Sequence, residues 1–286
     1  MCKNELNSII FDFEQIKYTI KKNKLVDLSA NICFEMKKNS LIISGENGLF
    51  HLSNFLQNTN KLTVNKLLSQ PYNSGIYINK NIIALSSNSI LANGEDKLIF
   101  YNNSTKKISK IIKNYSFIIS QNGLCLMELN EKNRILLCAC KKYSSQQNNG
   151  ILLVNPQLED NQEIIEPFYD TIDFEVYCFC QIHIYKNNIS YNDYFLVGGF
   201  DSEKGEGVLK LYKLIDKEKT YITKIEFILD IVFEENDNFE GFELPISSII
   251  QSKTTGNIII TSWDGKVYLL TQIYLDFFLN NANLEE

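Results

Sequence analysis

The sequence predicts an all-β fold, a β-propeller of four-stranded blades, and three observations predict it. An apolar run, a Gly- or Asp-containing turn and a second apolar run recur five times along the chain. The turns are evenly spaced: Gly48, Asp96, Gly150, Gly207 and Gly265 follow one another at intervals of 48, 54, 57 and 58 residues. Each pair of runs also has a strand candidate before it and another after it. Four short strands per period is how propeller blades are built. The intervals exceed the roughly 40–50 residues of common propeller repeats, so these read as long blades with grown loops, in one domain over 1–286.

The clearest unit is the last. Ile258, Ile259 and Ile260 form a β-branched run, Trp263-Asp264-Gly265 interrupts it, and Val267-Tyr268-Leu269-Leu270 follows. Asp-Gly between such runs is a strong hairpin signal and predicts a two-residue turn with φ > 0 at both positions. In the first unit Leu41-Ile42-Ile43-Ser44 leads through Asn47-Gly48 to Leu49-Phe50-His51-Leu52. In the second, Gly94-Glu95-Asp96-Lys97 separates Ile90-Leu91-Ala92 from Leu98-Ile99-Phe100-Tyr101. The third runs from Ile135–Cys140 across a polar loop, Ser144 to Asn149, to Gly150–Val154. The fourth runs from Tyr194–Gly199 past Gly205-Glu206-Gly207 to Val208–Tyr212. Flanking strands are expected at Lys61–Val64, Gly75–Ile78, Ile82–Leu85, Ile108–Ile112, Ile164–Phe168, Tyr221–Val232 and Ile246–Ile250.

The chain ends bear on closure. Residues 1–30 hold one strand or two, and Ser8–Tyr18 is placed to supply the outer strand of the last blade and so cover an edge that would otherwise stay unpaired. Leu269–Leu284 fits either a short C-terminal helix or an outer strand over Gln272–Phe278; pattern alone does not separate them. Five units account for the chain. Three arrangements follow: a small ring, a ring of up to seven blades with some hidden in the long spacings, or an open ring that a partner completes.

Composition narrows the function. The net charge is −6, which argues against nucleic acid as a direct ligand because phosphate neutralisation needs a basic footprint. Seven cysteines, an odd number, and no long apolar segment after Met1 fit reduced thiols in the cytoplasm or nucleus. No run reaches the 18 or so apolar residues of a membrane span, so membrane insertion is not expected.

Thr261-Ser262-Trp263-Asp264-Gly265-Lys266-Val267-Tyr268 resembles a blade of a WD40-like (WD-repeat) β-propeller, and its Ser-Trp-Asp-Gly form is similar to blades of mitotic-checkpoint and mRNA-export propellers. Tyr194–Leu214 is similar to blades of large DNA-damage-binding and cleavage-factor scaffolds. Each likeness covers a single blade. The Gly-His pair and terminal Trp-Asp of standard repeats are absent from the other units. The resemblance implies the fold and an interaction role.

Candidate chemistry is sparse. Cys138 and Cys140 share one face of a strand, as do Cys178 and Cys180. With His183 they would make a metal site if the two faces met, although zinc sites usually space cysteines by two to four residues. The alternative is that they are buried thiols acting as small hydrophobes. Any triad or dyad must use His51 or His183, and neither sits in a nucleophile-elbow context. Acidic stretches at Glu159-Asp160, Glu163, Glu166, Glu234-Glu235-Asn236-Asp237, Glu240 and Glu243 fall in expected inter-blade loops. They are candidate carboxylate pairs, or simply solvated. Phe168, Tyr169, Phe239 and Phe242 lie beside them and are the candidate partner-binding aromatics, since aromatic anchors in a polar rim are hot-spot material; otherwise they staple their loops to the ring. No phosphate-binding loop or dinucleotide fingerprint occurs, and no cofactor is expected.

The expected function is a non-enzymatic scaffold that binds other proteins as a subunit of a larger intracellular complex. The alternatives are a propeller hydrolase with its site at the central channel, built on His183 or loop carboxylates, and an open propeller completed by a partner's blade.

Overall fold

A computed structural model describes residues 5–12, 17–24, 30–37, 40–45, 48–53, 63–87, 96–113, 115–117, 122–130, 134–142, 149–156, 164–168, 172–186, 189–216, 222–235, 238–240, 242–252 and 254–271. All of its regular structure is β-strand. β1 (Glu5–Asp12) and β2 (Lys17–Lys24) form a hairpin. The first sheet holds β3 (Ala30–Lys37), β4 (Ser40–Gly45), β5 (Gly48–Ser53) and β6 (Thr63–Leu68). The second holds β7 (Ser74–Tyr77), β8 (Ile82–Ser87), β9 (Lys97–Asn102) and β10 (Lys107–Ile112). In the third, β11 (Tyr115–Phe117) and β12 (Leu124–Glu128) share the inner edge of β13 (Arg134–Lys142), followed by β14 (Asn149–Val154) and β15 (Ile164–Phe168). The fourth holds β16 (Glu175–Lys186), β17 (Ile189–Asp201), β18 (Glu206–Asp216) and β19 (Ile222–Asp230). A hairpin of β20 (Phe233–Glu235) and β21 (Asn238–Glu240) precedes the fifth sheet, β22 (Ile246–Gln251), β23 (Ile258–Ser262) and β24 (Val267–Leu270).

Every sheet is antiparallel, and apart from β11 and β12, which both pair with β13, neighbouring strands follow chain order. The sheets stack face to face in the same order, with first strands side by side: β3 against β7, β7 against β12, β12 against β16, β16 against β22. This is the radial layout of β-propeller blades. The five recurring turns of the sequence are the connections between second and third strands of the five sheets.

The central strands read as continuous apolar runs because both of their faces are covered. In β8 and β9, Ile83, Leu85, Ile99 and Tyr101 pack toward the first sheet, while Ala84, Leu98 and Phe100 pack toward the third. In β13 and β14, Leu136, Cys138 and Leu152 face the second sheet, and Leu137, Ala139 and Leu153 face the fourth. In β17 and β18, Phe195, Val197 and Tyr212 face the third, and Leu196, Leu209 and Leu211 face the fifth.

Several expectations change. Ser8–Tyr18 does not join the last sheet as one strand: β1 pairs with β2 in register from Glu5–Lys24 to Asp12–Lys17. Glu166 lies in β15, and Glu234, Glu235 and Glu240 lie in the β20–β21 hairpin, where inter-blade loops were expected. The helix or strand expected after Leu270, and the loop acids Glu159, Asp160, Glu163, Asn236 and Asp237, fall outside the described residues.

Candidate interaction site

In a four-stranded meander the start of the first strand, the turn between the second and third, and the end of the fourth all lie at one end of the sheet. At this end of the fourth and fifth sheets four segments come together: the start of β16 (175–177), the β17–β18 turn (201–207), the segment entering β22 (242–245) and the β23–β24 turn (262–266).

The β23–β24 turn is not the two-residue type expected from Asp-Gly. Gly265 N–H donates to the Ser262 carbonyl at 3.1 Å, and Ser262 N–H donates to the Lys266 carbonyl at 3.2 Å. Only Gly265 has a positive φ, 82°. This is a three-residue loop, a β-turn followed by one left-handed residue. Asp264 stabilises it by accepting from the Ser262 hydroxyl at 2.5 Å and from Lys266 N–H at 3.0 Å. The Ser262 hydrogen bond is the main reason its carboxyl lies below the usual range. The longer loop lifts Trp263 out of the strand to the tip of the turn.

Trp263 is the chain's single tryptophan and is 61% exposed. Its backbone N–H donates to the Pro245 carbonyl at 3.0 Å. One face of its indole stacks on Tyr177 of the fourth sheet, with centroids 5.3 Å apart and planes 18° from parallel. The Tyr177 hydroxyl donates to Glu175 at 2.6 Å, which fixes the lower ring. The stack therefore clasps two sheets at the rim and leaves its other face in water.

The supporting segment is tied down from both sides. Gly207 N–H donates to the Phe242 carbonyl at 2.6 Å, and a Cβ at Gly207 would meet the Leu244 carbonyl oxygen at 2.2 Å, so only glycine fits. Lys266 bridges Glu243 at 3.4 Å and Asp264 at 3.6 Å. In the neighbouring turn, burial raises the Asp201 carboxyl. The N–H groups of Lys204 and Glu203 and the Lys204 ammonium outweigh that and hold it below its ordinary value.

The residues singled out by sequence fare differently. Phe242 is 4% exposed and meets Tyr268 edge-on at 4.9 Å, so its ring is spent on stapling its segment to the fifth sheet. Phe168 ends β15 opposite Ile151, and Phe239 lies in β21 opposite Glu234; Tyr169 falls outside the described residues. Trp263 and Tyr177 were not among the expected anchors. The signal was present: a tryptophan inside a polar tight turn has no sheet of its own to bury it.

The two cysteine pairs do not converge. Cys138 and Cys140 lie in the core between the second and third sheets, and Cys178 in the core between the fourth and fifth. Their thiols donate to carbonyls, Cys140 to Gly150 and Cys178 to Ile246, each at 3.7 Å. Burial pushes the Cys140 thiol up to about 12 and Cys180 to about 11, and raises Cys138 and Cys178 as well. Among the described residues no three His, Cys, Asp or Glu side chains group to hold a metal ion. His183 lies on β16, the inner strand of its sheet. Its backbone N–H donates to the Gln251 side-chain oxygen at 2.8 Å, and its Nδ1 lies 3.0 Å from the Asn192 amide oxygen.

No family model matches the chain, and no curated protein matches it. Among solved structures, the β-propeller domain of Cps50 (Swd1) from Myceliophteria thermophila is similar over 86% of this chain and 84% of that one, at 8% identity and a TM-score of 0.44. No helix among the described residues is long and apolar enough to cross a membrane.

Proposed function

We propose that the protein is a non-enzymatic scaffold, a subunit of a larger intracellular assembly, which holds a protein partner on the rim of its fourth and fifth sheets. The observation that carries this reading is Trp263: a large aromatic, clasped from below by Tyr177 and left open above. Exposed tryptophans on rigid supports are the residues that dominate binding energy at protein interfaces. Turns held by Asp201, Asp264 and the Gly207–Phe242 bridge give such a surface its rigidity, which lowers the ordering cost of association. The test is photo-crosslinking in cells, with a photoreactive residue at Leu244 on the rim and, as a control, at Val64 on the outer strand of the first sheet. Both positions are exposed. The same few proteins captured from position 244 and not from 64 support the reading. A chain that crosslinks to nothing and runs as a lone monomer overturns it.

One observation favours a second reading, an open propeller completed by a partner's sheet. Ile250, Ile259 and Leu269 form one cross-strand row of the fifth sheet, and all three are exposed. Val267, on the same face, is exposed as well. Co-purification of a partner that is lost on Ile259→Lys but kept on Trp263→Ala would favour this second surface.

A further inference from the structure

We propose that the open face of Trp263 takes a cationic side chain, arginine foremost, from a basic segment of a protein partner. This rests on the rim being a protein-binding surface and names the chemistry that it selects. The indole is the aromatic face to which a cation binds best, and a guanidinium also stacks flat on it. The residue is held in place before binding: its backbone N–H donates to the Pro245 carbonyl, and the lower face of its ring is filled by Tyr177, itself hydrogen-bonded to Glu175.

Charge around the stack has the matching sign. The four rim segments carry six carboxylates, Glu175, Asp201, Glu203, Glu206, Glu243 and Asp264, against two ammonium groups, Lys204 and Lys266. Lys204 is engaged by Asp201 and Glu206, and Lys266 by Glu243 and Asp264. The rim therefore stays net negative after its internal pairing. Glu243 is well exposed, and Lys266 holds it at 3.4 Å on a flexible stem. A guanidinium lying on the indole offers a planar fork to such a carboxylate, which an ammonium does not. An acidic or neutral partner segment gains neither the stack nor the field.

The single tryptophan makes the site its own reporter. The folded chain is titrated with ten-residue peptides alternating Gly with Arg, Lys, Gln or Glu, following tryptophan emission, and dye-labelled peptides are followed by anisotropy. The expected result is a saturable change in emission with the Arg peptide, weaker with Lys and absent with Gln and Glu, shrinking as salt rises. Trp263→Ala should weaken the Arg peptide by about 2- to 30-fold, the range of a cation–π contact. Trp263→Phe, which keeps a ring over Tyr177, should fall between. The pair Glu175→Gln with Glu243→Gln should weaken binding and flatten its salt dependence. Should Trp263→Ala unfold the chain, Trp263→Phe and the carboxamide pair carry the test. Equal binding of Arg and Gln peptides overturns the inference, as does Arg binding unaffected by these variants, or no binding at millimolar peptide. A rim that crosslinks to partners in cells while failing these titrations removes the arginine preference and leaves the scaffold standing. A lone monomer in cells that passes them does the reverse.

Discussion

The third and fifth sheets are both antiparallel and differ in how many faces they bury. In the third, Leu136, Cys138 and Leu152 on one side and Leu137, Ala139 and Leu153 on the other are all buried. In the fifth, Ile258 and Ile260 are buried against the fourth sheet, while Ile259 between them is 45% exposed. An unbroken isoleucine run therefore has two meanings. Inside the stack each residue has a core to enter; at its end every second residue faces water. A closed ring has no such end, so the energetics of Ile259 report on closure.

The largest expected effects lie at residues packed between two sheets. Leu137→Ala, Leu153→Ala and Ile260→Ala should each lower unfolding free energy by ~2–5 kcal/mol, the usual cost of emptying a packed site. Ile259→Ala should cost under ~0.5 kcal/mol, as surface changes do. Urea melts of the set measure the contrast. Should Ile259→Ala prove as costly as Ile260→Ala, the outer face of the fifth sheet is covered in solution and the two sheets are alike.

Gly198 sharpens the comparison at the joint between the fourth and fifth sheets. A Cβ there would lie 2.6 Å from Ile246 Cγ2 and 2.7 Å from Cys178 Sγ. Gly198→Val should therefore cost ~1–3 kcal/mol by overpacking. Adding Ile246→Ala should return part of that loss, so that the double variant is more stable than the sum of the singles predicts. Simple additivity would mean that the sheets separate instead of straining. A smaller effect is expected at the rim. Asp264→Ala removes the acceptor that closes the β23–β24 turn, and should change Trp263 emission with little change in the urea midpoint of the whole chain.

The fold was largely legible. Lys61–Val64 begins ahead of β6 and Ile90-Leu91-Ala92 lies outside the described residues, but Ile108–Ile112, Ile164–Phe168 and Ile246–Ile250 match β10, β15 and β22 to within a residue or so. They were readable because β-branched runs bounded by Gly and Asp carry their own punctuation. The site was less legible, for a physical reason. Sequence marks aromatics near acids but does not say which of them the fold will bury, and Phe242 went inside while Trp263 stayed out. The loop length at Asp264-Gly265 decided the second outcome. A two-residue turn would have left Trp263 in the strand; Gly265 alone at positive φ places it at the tip.

The first sheet offers the mildest test, through pH. His51 lies in β5 opposite Ile42 and Asn65, and among the described residues its buried Nε2 has no hydrogen-bond partner. Burial, and then the nearby Lys106 ammonium, hold its pKa below the ordinary 6.5. The charged imidazole is thus disfavoured in the folded state. As pH falls below about 6.5 the unfolded chain takes up this proton first. The His51 contribution to stability should therefore be flat above neutrality and decline as pH drops from about 6.5 toward the lower folded value. The loss levels off once both states are protonated. Asp201 and Asp264, held low by their hydrogen bonds, add a second decline only near and below the normal carboxylate range, about pH 4. Replacing His51 by Leu should abolish the first decline and keep the second. Urea midpoints at pH 7.5, 6.0, 5.0 and 4.0 on both chains separate the two; an unchanged slope between pH 7.5 and 5.0 in His51→Leu would assign that proton to another group.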